Sequence, residues 1–153
     1  DRGGDVTYHG PGQLVVYPIL DLTLWRPSVD WYLRALEEVV IQVLARYKLA
    51  GERLDHYTGV WVKGAKIAAI GVGVRQWHTW HGLALNIAPQ KEHWRMIVPC
   101  GIQDKPVIAL EDLLSPAPPL VEVVSQMREA FCRVFQCTGN LFLEEALANH
   151  EQA

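Results

Sequence analysis

The segment Arg2-Gly3-Gly4-Asp5-Val6-Thr7-Tyr8-His9-Gly10-Pro11-Gly12-Gln13 leads directly into the apolar run Leu14–Leu20. It holds four glycines and a proline, and glycine tolerates positive φ and lets the backbone approach a ligand closely. The sequence therefore predicts a loop that presents its own N–H groups beside a buried strand over 14–20. Glycine alone would indicate a sharp surface turn. The Arg, Thr, Tyr, His and Gln among these glycines favour a binding site.

Two amphipathic helices are predicted further along the chain. The first begins after Pro27, with Ser28 or Asp30 as the N-cap and Gly51 as the stop signal. The second follows the Ser-Pro-Ala-Pro-Pro run at 115–119. Apolar residues recur at helical spacing in both: Leu33, Leu36, Val40, Leu44 and Tyr47 in the first, and Val121, Val124, Met127, Phe131 and Phe135 in the second.

Short apolar runs predict the strands. Gly59–Val62 and Lys66–Val74 are predicted to form a hairpin, and Gly82–Ile87 a further strand. Residues 88–106 have the composition of a loop, and Leu110–Leu114 is predicted to form one helical turn. Since strands and helices do not alternate regularly, we expect an α+β fold with a mixed, mostly antiparallel sheet flanked by helices.

Composition narrows the classes of protein. The 153 residues, 50% hydrophobic and 20% charged, predict a single domain over 1–153. A net charge of -3 without any run of Lys or Arg argues against a nucleic-acid partner. No apolar run is long enough to cross a membrane. An odd number of cysteines, three, suits a reducing cytoplasm better than a disulfide framework.

We expect neither a metal nor a cofactor. His78 and His81 would lie on opposite faces of a strand, and the sequence has no Cys-x-x-Cys or helical His-Glu-x-x-His motif. It also has no Gly-x-Gly-x-x-Gly or Walker loop, so nothing in it indicates a bound nucleotide.

Cys100 and Lys66 are the candidate catalytic residues. Cys100 lies in Val98-Pro99-Cys100-Gly101-Ile102, where proline restricts the backbone and glycine removes bulk beside the thiol. A cysteine is more often a buried structural thiol, and Cys132 and Cys137, on or near the last helix, are interpreted that way. A nucleophilic thiol needs a nearby cation to lower its pKa. Lys66 is the best candidate, although a lysine at a strand end is usually solvated and nothing in the sequence places it beside Cys100.

The pattern Arg-Gly-Gly-x-x-Thr-Tyr-His-x-x-Gly-Gln, from Arg2 to Gln13 and followed by Tyr17, closely resembles the signature of lipoyl(octanoyl) transferases. Further blocks resembling that family follow in its order: Gly59-Val60-Trp61, Lys66-Ile67-Ala68-Ala69-Ile70-Gly71, His81-Gly82-Leu83-Ala84-Leu85-Asn86 and Pro99-Cys100-Gly101-Ile102. The resemblance covers residues 2–102. Because the chain starts one residue before the signature, we expect a single transferase domain that lacks the segment family members usually carry there.

The resemblance implies an α+β fold related to biotin and lipoate protein ligases. Cys100 would form an acyl thioester, and Lys66 would lower its pKa and shuttle protons. The implied substrate-binding residues are Arg2, Gly3, Gly4, Asp5, Val6, Thr7, Tyr8, His9, Ala69, Ile70, Gly71, Gly82, Leu83 and Ala84, and the candidates for closing an acyl pocket are Tyr8, Trp61 and Ile70. The resemblance also implies a cytoplasmic monomer without a cofactor. Its donor would be octanoyl-acyl carrier protein, and its acceptors the lipoyl domains of 2-oxoacid dehydrogenases and the glycine cleavage H protein.

Three other functions stay open at this point. An ATP-dependent lipoate or biotin protein ligase would share the fold, but it needs no nucleophilic thiol, and the sequence has no Gly/Arg-rich adenylate loop. An inactive module that binds carrier or lipoyl domains is disfavoured by the presence of Lys66 and Cys100. A cysteine hydrolase would need a residue placed to activate water, and none is identifiable.

Overall fold

The computed structural model describes residues 9–90 and 106–137. In this part of the chain, one four-stranded antiparallel sheet has the order β1-β4-β3-β2. Two helices lie on one face of the sheet, and short 3-10 turns occur at Leu22–Leu24 and Leu110–Asp112. The longer elements are β1 (Gln13–Val16), α1 (Val29–Arg46), β2 (Val60–Val62), β3 (Ala65–Arg75), β4 (His78–Asn86) and α2 (Leu120–Phe135). The predicted α+β class is confirmed.

Helix α1 begins where the sequence predicts and ends earlier. Ser28 is the N-cap, and its hydroxyl accepts a hydrogen bond from the backbone N–H of Trp31 at 3.2 Å. The helix ends before Lys48, which adopts a left-handed φ of 59°, so the prediction that Gly51 stops the helix is wrong. A Cβ at Gly51 would lie 2.9 Å from the side chain of Leu44. Glycine at this position therefore serves close packing against the helix.

In the first turn of helix α2, the buried residue differs from the predicted one. Val123, Met127, Phe131 and Phe135 are buried, whereas Val121 is 68% exposed. The buried residues follow each other at intervals of four, which keeps them on one side of the helix. Val121 lies about 200° around the helix axis from Val123 and so faces away from the core.

The bounds of β1 and β4 also differ from the prediction. β1 ends at Val16 instead of continuing through 20, because Pro18 has no N–H to donate to a ladder. β4 begins at His78, well before the predicted Gly82. Gln76 and Trp77 form the two-residue turn between β3 and β4, with φ of 50° and 64°. Hairpin turns with two positive φ values usually carry Asn-Gly or Asp-Gly, so this one left no recognisable signal in the sequence.

The core fills the space between the helices and the sheet. Its fully buried members include Leu36 and Val40 of α1, Ile67 of β3 and Leu85 of β4. These side chains occupy the face of the sheet that α1 and α2 cover, and neither of these two helices packs on the other face. Among residues 9–90 and 106–137, neither helix combines the length and apolar character needed to cross a membrane.

Candidate functional site

The face of the sheet opposite the helices has a floor of small residues, called here the outer-face floor. Ile70 of β3 and Leu83 of β4 pair with each other and pack on the helix side. Because side chains alternate along a strand, the neighbours of these two residues face the other way. The outer-face floor consists of two cross-strand pairs, Ala69 with Ala84 and Gly71 with Gly82. None of the four carries more than a methyl group. Val16 and Pro18 cover Gly82, because a Cβ there would lie 2.2 Å from the Val16 carbonyl oxygen and 2.6 Å from Cδ of Pro18. Ala69 and Gly71 are partly exposed, so the accessible part of the floor lies along β3.

An indole ring stands at one end of the outer-face floor. Gly73 pairs with Trp80, the next outward-facing pair beyond Gly71 and Gly82. A Cβ at Gly73 would lie 2.2 Å from Nε1 and Cε2 of Trp80, so the indole lies directly over Gly73. Sequence analysis missed Trp80. Ile70, predicted to close an acyl pocket, instead directs its side chain toward the core.

Lys66 stands at the other end of the outer-face floor. Its Nζ lies 5.0 Å from the ring centroid of Trp61, within the range of about 6 Å for a cation–π contact. Trp61 is fully buried, and Lys66 is partly buried. β3 has one extra residue here, because Val60 pairs with Ala68 while Trp61 pairs with Lys66. This bulge interrupts the alternation of side chains, so Ile67 and Ala68 both lie in the core and Lys66 lies beside Trp61. Lys66 is thus held against a rigid aromatic surface, unlike the solvated lysine that usually ends a strand.

The backbone of Lys66 is tied to the segment that follows Cys100 in the sequence. Its N–H donates to the carbonyl of Pro106 at 2.8 Å, and its carbonyl accepts from the N–H of Ile108 at 3.0 Å. Cys100 itself lies outside the described residues, six positions before Pro106. The two hydrogen bonds thus place Pro106 and Ile108, which follow Cys100 in the sequence, beside Lys66.

The end of the signature loop reaches the same end of the sheet. Gln13 donates its side-chain N–H to Oδ1 of Asn86 at 2.9 Å, and the Asn86 amide donates to the carbonyl of Ile108 at 3.2 Å. The carbonyl of Gly12 accepts from the N–H groups of Ile87 and Ala88 at 3.0 and 2.9 Å. Three blocks that are distant in sequence are thus joined by hydrogen bonds beside Lys66.

His9, the last residue of the predicted Arg2–His9 segment, lies beside β1 and β4. Its ring contacts that of Tyr17 edge to face at 6.4 Å between centroids, and Tyr17 contacts His81 in the same way at 5.9 Å. His81 immediately precedes Gly82 of the outer-face floor. His9 is thus linked through Tyr17 to His81, the neighbour of Gly82, while Arg2–Tyr8 lie outside the described residues.

We expect Gly12→Ala to destabilise the protein by about 3 kcal/mol, since it combines left-handed strain with overpacking. Gly12 has a φ of 84°, and a Cβ there would lie 2.0 Å from the carbonyl oxygen of Ala88. Gly64→Ala is the matched control, because Gly64 has a similar φ of 79° with nothing within 4 Å; it should lose only about 1 kcal/mol. Urea unfolding measures both. Equal losses would contradict the close approach at Gly12.

The family of the chain follows from comparison with known proteins. The model of the lipoyl protein ligase A/B catalytic domain matches residues 1–132. The chain belongs to this family. The resemblance noted in the signature and the ligase-like α+β fold are both confirmed.

Similar members of the lipoyl protein ligase A/B family carry the name octanoyltransferase. One from Nostoc punctiforme is 52% identical over 135 residues, covering 88% of this chain and 58% of that protein. One from Gloeobacter violaceus is 52% identical over 150 residues, covering 97% and 66%. The chain thus spans about six-tenths of the length of these curated relatives.

Solved ligases share the fold of this catalytic domain. A lipoate-protein ligase A solved with ATP superimposes with a TM-score of 0.71 at 16% identity, covering 88% of this chain and 57% of that one. The biotin protein ligase from Aquifex aeolicus gives a TM-score of 0.63 at 14% identity, covering 82% and 53%. At such identities, the likeness shows the fold alone.

Proposed function

We propose that this protein is an octanoyltransferase. It would move an octanoyl group from acyl carrier protein to a lysine of a lipoyl domain in the cytoplasm, through a thioester on Cys100. The observation that carries the proposal is the placement of Lys66. It stands at one end of a floor of small residues, and its backbone is bonded to the segment that follows Cys100. The 52% identity to proteins named octanoyltransferase supports the same reaction.

In the first step, the Cys100 thiolate attacks the carbonyl carbon of the octanoyl thioester. A carbon–sulfur bond to Cys100 forms, and the bond to the carrier sulfur breaks. Lys66, held as an ammonium over Trp61, favours the thiolate and then gives its proton to the departing carrier sulfur. Backbone N–H groups of the glycine-rich segments would stabilise the oxyanion.

In the second step, the lysine amine of the lipoyl domain attacks the acyl-Cys100 carbonyl. Neutral Lys66 accepts the proton that this amine loses, and the Cys100 thiolate leaves. The enzyme returns to its starting thiolate–ammonium pair, and the step runs downhill because an amide is more stable than a thioester.

The proposed partners follow from this chemistry. The donor is octanoyl-acyl carrier protein, whose thioester is already activated, so the reaction needs no ATP. The acceptors are lipoyl domains of 2-oxoacid dehydrogenases and the glycine cleavage H protein. A ligase would instead activate a free acid with ATP.

Mass spectrometry of a lipoyl domain tests the proposal. Incubation with the protein and octanoyl-acyl carrier protein, without ATP, should add one octanoyl group to the domain. A second reaction contains free octanoate and ATP in place of the acylated carrier and should leave the domain unmodified. Acylation in the second reaction alone would contradict the proposal and favour the ligase.

The outer-face floor and Trp80 predict selection by chain length. The four-residue rise from Ala69 to Gly73, about 13 Å, accommodates an extended octanoyl chain of about 9 Å, taken as seven bonds of about 1.5 Å in zigzag. Burying its seven methylene and methyl groups would contribute about 5–6 kcal/mol, and a longer chain would meet the indole.

We therefore expect Trp80→Ala to retain octanoyl transfer and to raise the rate with dodecanoyl-acyl carrier protein by about 10-fold, the loss of one overpacking clash. Competition between carriers of different chain lengths measures the preference. Trp77→Ala, at the exposed hairpin turn, is the control and should keep the wild-type profile. An unchanged profile in Trp80→Ala would remove the indole as the chain-length limit.

A further inference from the structure

A carboxylate is fully buried beneath the Lys66 end of the sheet. Glu37 of α1 has no exposed surface. Its Oε2 accepts from Nη1 of Arg34 at 2.7 Å and from Nε of Arg53 at 3.1 Å. Its Oε1 accepts from the backbone N–H of Gly59 at 3.2 Å. A buried carboxylate stays ionised only when such partners compensate its charge. Removing one partner lowers the stability of the folded protein strongly.

Gly59 is the link between this carboxylate and Lys66. Its φ of 133° is in a region that strongly favours glycine. A Cβ there would lie 2.6 Å from the carbonyl oxygen of Ala68, 3.3 Å from Cε of Lys66 and 3.4 Å from Cη2 of Trp61. The bare backbone of Gly59 therefore forms part of the surface against which the Lys66 side chain lies.

We propose that Glu37 is a positioning residue for Lys66, which it reaches through Gly59. By fixing the Gly59 N–H, the carboxylate holds the turn that leads into β2, and with it the two groups that flank the lysine stem: the Gly59 backbone and the Trp61 ring. This inference rests on the proposed function of Lys66. It assigns a positioning role to a residue of α1, the helix that packs on the core face of the sheet.

The neighbouring Glu38 provides a matched control. Its Oε2 accepts from Nη2 of Arg53 at 2.7 Å, so it shares an arginine with Glu37. Its side chain is 40% exposed, and its carboxylate accepts hydrogen bonds from Arg53 and Gln42. The Arg53 hydrogen bond holds the pKa of Glu38 below its ordinary value, which keeps Glu38 charged at neutral pH. The charged groups around this turn include Glu37, Glu38, Arg34, Arg53 and Lys66. Asp55 acts on the charge of Arg34, and Glu52 is paired through its backbone with Trp61.

The test is the pH profile of Cys100 alkylation by iodoacetamide, followed by peptide mapping so that Cys100 is separated from the other two cysteines. The variants are Glu37→Gln, Glu37→Asp, Glu38→Gln and Lys66→Ala. Glu37→Asp keeps the negative charge but withdraws it from Gly59 by one methylene, so it provides the test even if Glu37→Gln does not fold. Thermal unfolding followed by circular dichroism identifies the folded variants.

Both Glu37 variants should slow alkylation at pH 7 by about 10-fold and move the profile to higher pH, because a displacement of about 1 Å can cost a catalytic arrangement up to 100-fold. Glu38→Gln should keep the wild-type profile. Folded Glu37 variants with the wild-type profile, beside a shifted Lys66→Ala, would overturn this inference alone. A wild-type profile in Lys66→Ala as well would contradict the role of Lys66 and with it the proposed function.

Discussion

Cys100→Ser is expected to lower kcat/KM for octanoyl transfer by at least about 1,000-fold, as removal of a covalent nucleophile does in other enzymes. A serine hydroxyl is hardly ionised near neutral pH. A lysine ammonium can stabilise a cysteine thiolate, but it does not ionise a serine hydroxyl. The expected loss falls on kcat, because the small residues that would bind the acyl chain are unchanged. The measurement is the rate at which a lipoyl domain gains the octanoyl group.

The other two cysteines provide the controls for this prediction. Cys132 lies on α2 and Cys137 just beyond its end, on the side of the sheet that packs the core. Cys132→Ser and Cys137→Ser should both leave the transfer rate unchanged. Transfer that survives in Cys100→Ser, or that is lost in a folded Cys132→Ser, would mean that the nucleophile has been assigned to the wrong thiol.

Lys66→Ala is expected to reduce kcat by about 100- to 10,000-fold, the range for loss of a general acid–base group. It should also move the alkylation profile of Cys100 to higher pH, since a nearby positive charge favours the thiolate. Without the ammonium, the thiol keeps its proton to higher pH, so the loss of reactivity is largest near neutral pH and disappears in alkaline solution.

Lys63 is the matched control for this substitution. It lies in the exposed turn between β2 and β3, three residues before Lys66. Lys63→Ala removes the same charge without touching the outer-face floor, and it should leave both the rate and the pH profile unchanged. Equal effects of the two substitutions would indicate a general influence of charge on the thiol and would contradict a specific role for Lys66.

The sequence predicted the fold class and the helical positions well, because hydrophobic spacing and the Ser28 cap are local signals. Through the family resemblance it also indicated Ala69, Gly71, Gly82 and Ala84, which form the outer-face floor, as substrate-binding residues, and that role stays a prediction. It did not predict that Ile70 and Leu83 point to the core while Ala69 and Ala84 point away. That division depends on which face the helices cover, which is decided by tertiary packing.

The features that sequence analysis missed depend on long-range contacts. Glu37 lies between Leu33 and Val40, where the apolar spacing of the helix calls for a core residue. That conflict was a usable signal for a buried polar group, although its partner Gly59 is distant in sequence. The contact between Trp80 and Gly73 left no such signal, since it requires the hairpin register set by the turn at Gln76.

The measurement that most directly tests the account is the intact mass of the protein after incubation with octanoyl-acyl carrier protein, followed by peptide mapping. We expect one octanoyl group, located on Cys100, that disappears when a lipoyl domain is added and then appears on that domain. An octanoyl group on another residue, or transfer to the lipoyl domain without any acylated enzyme, would contradict a Cys100 thioester intermediate.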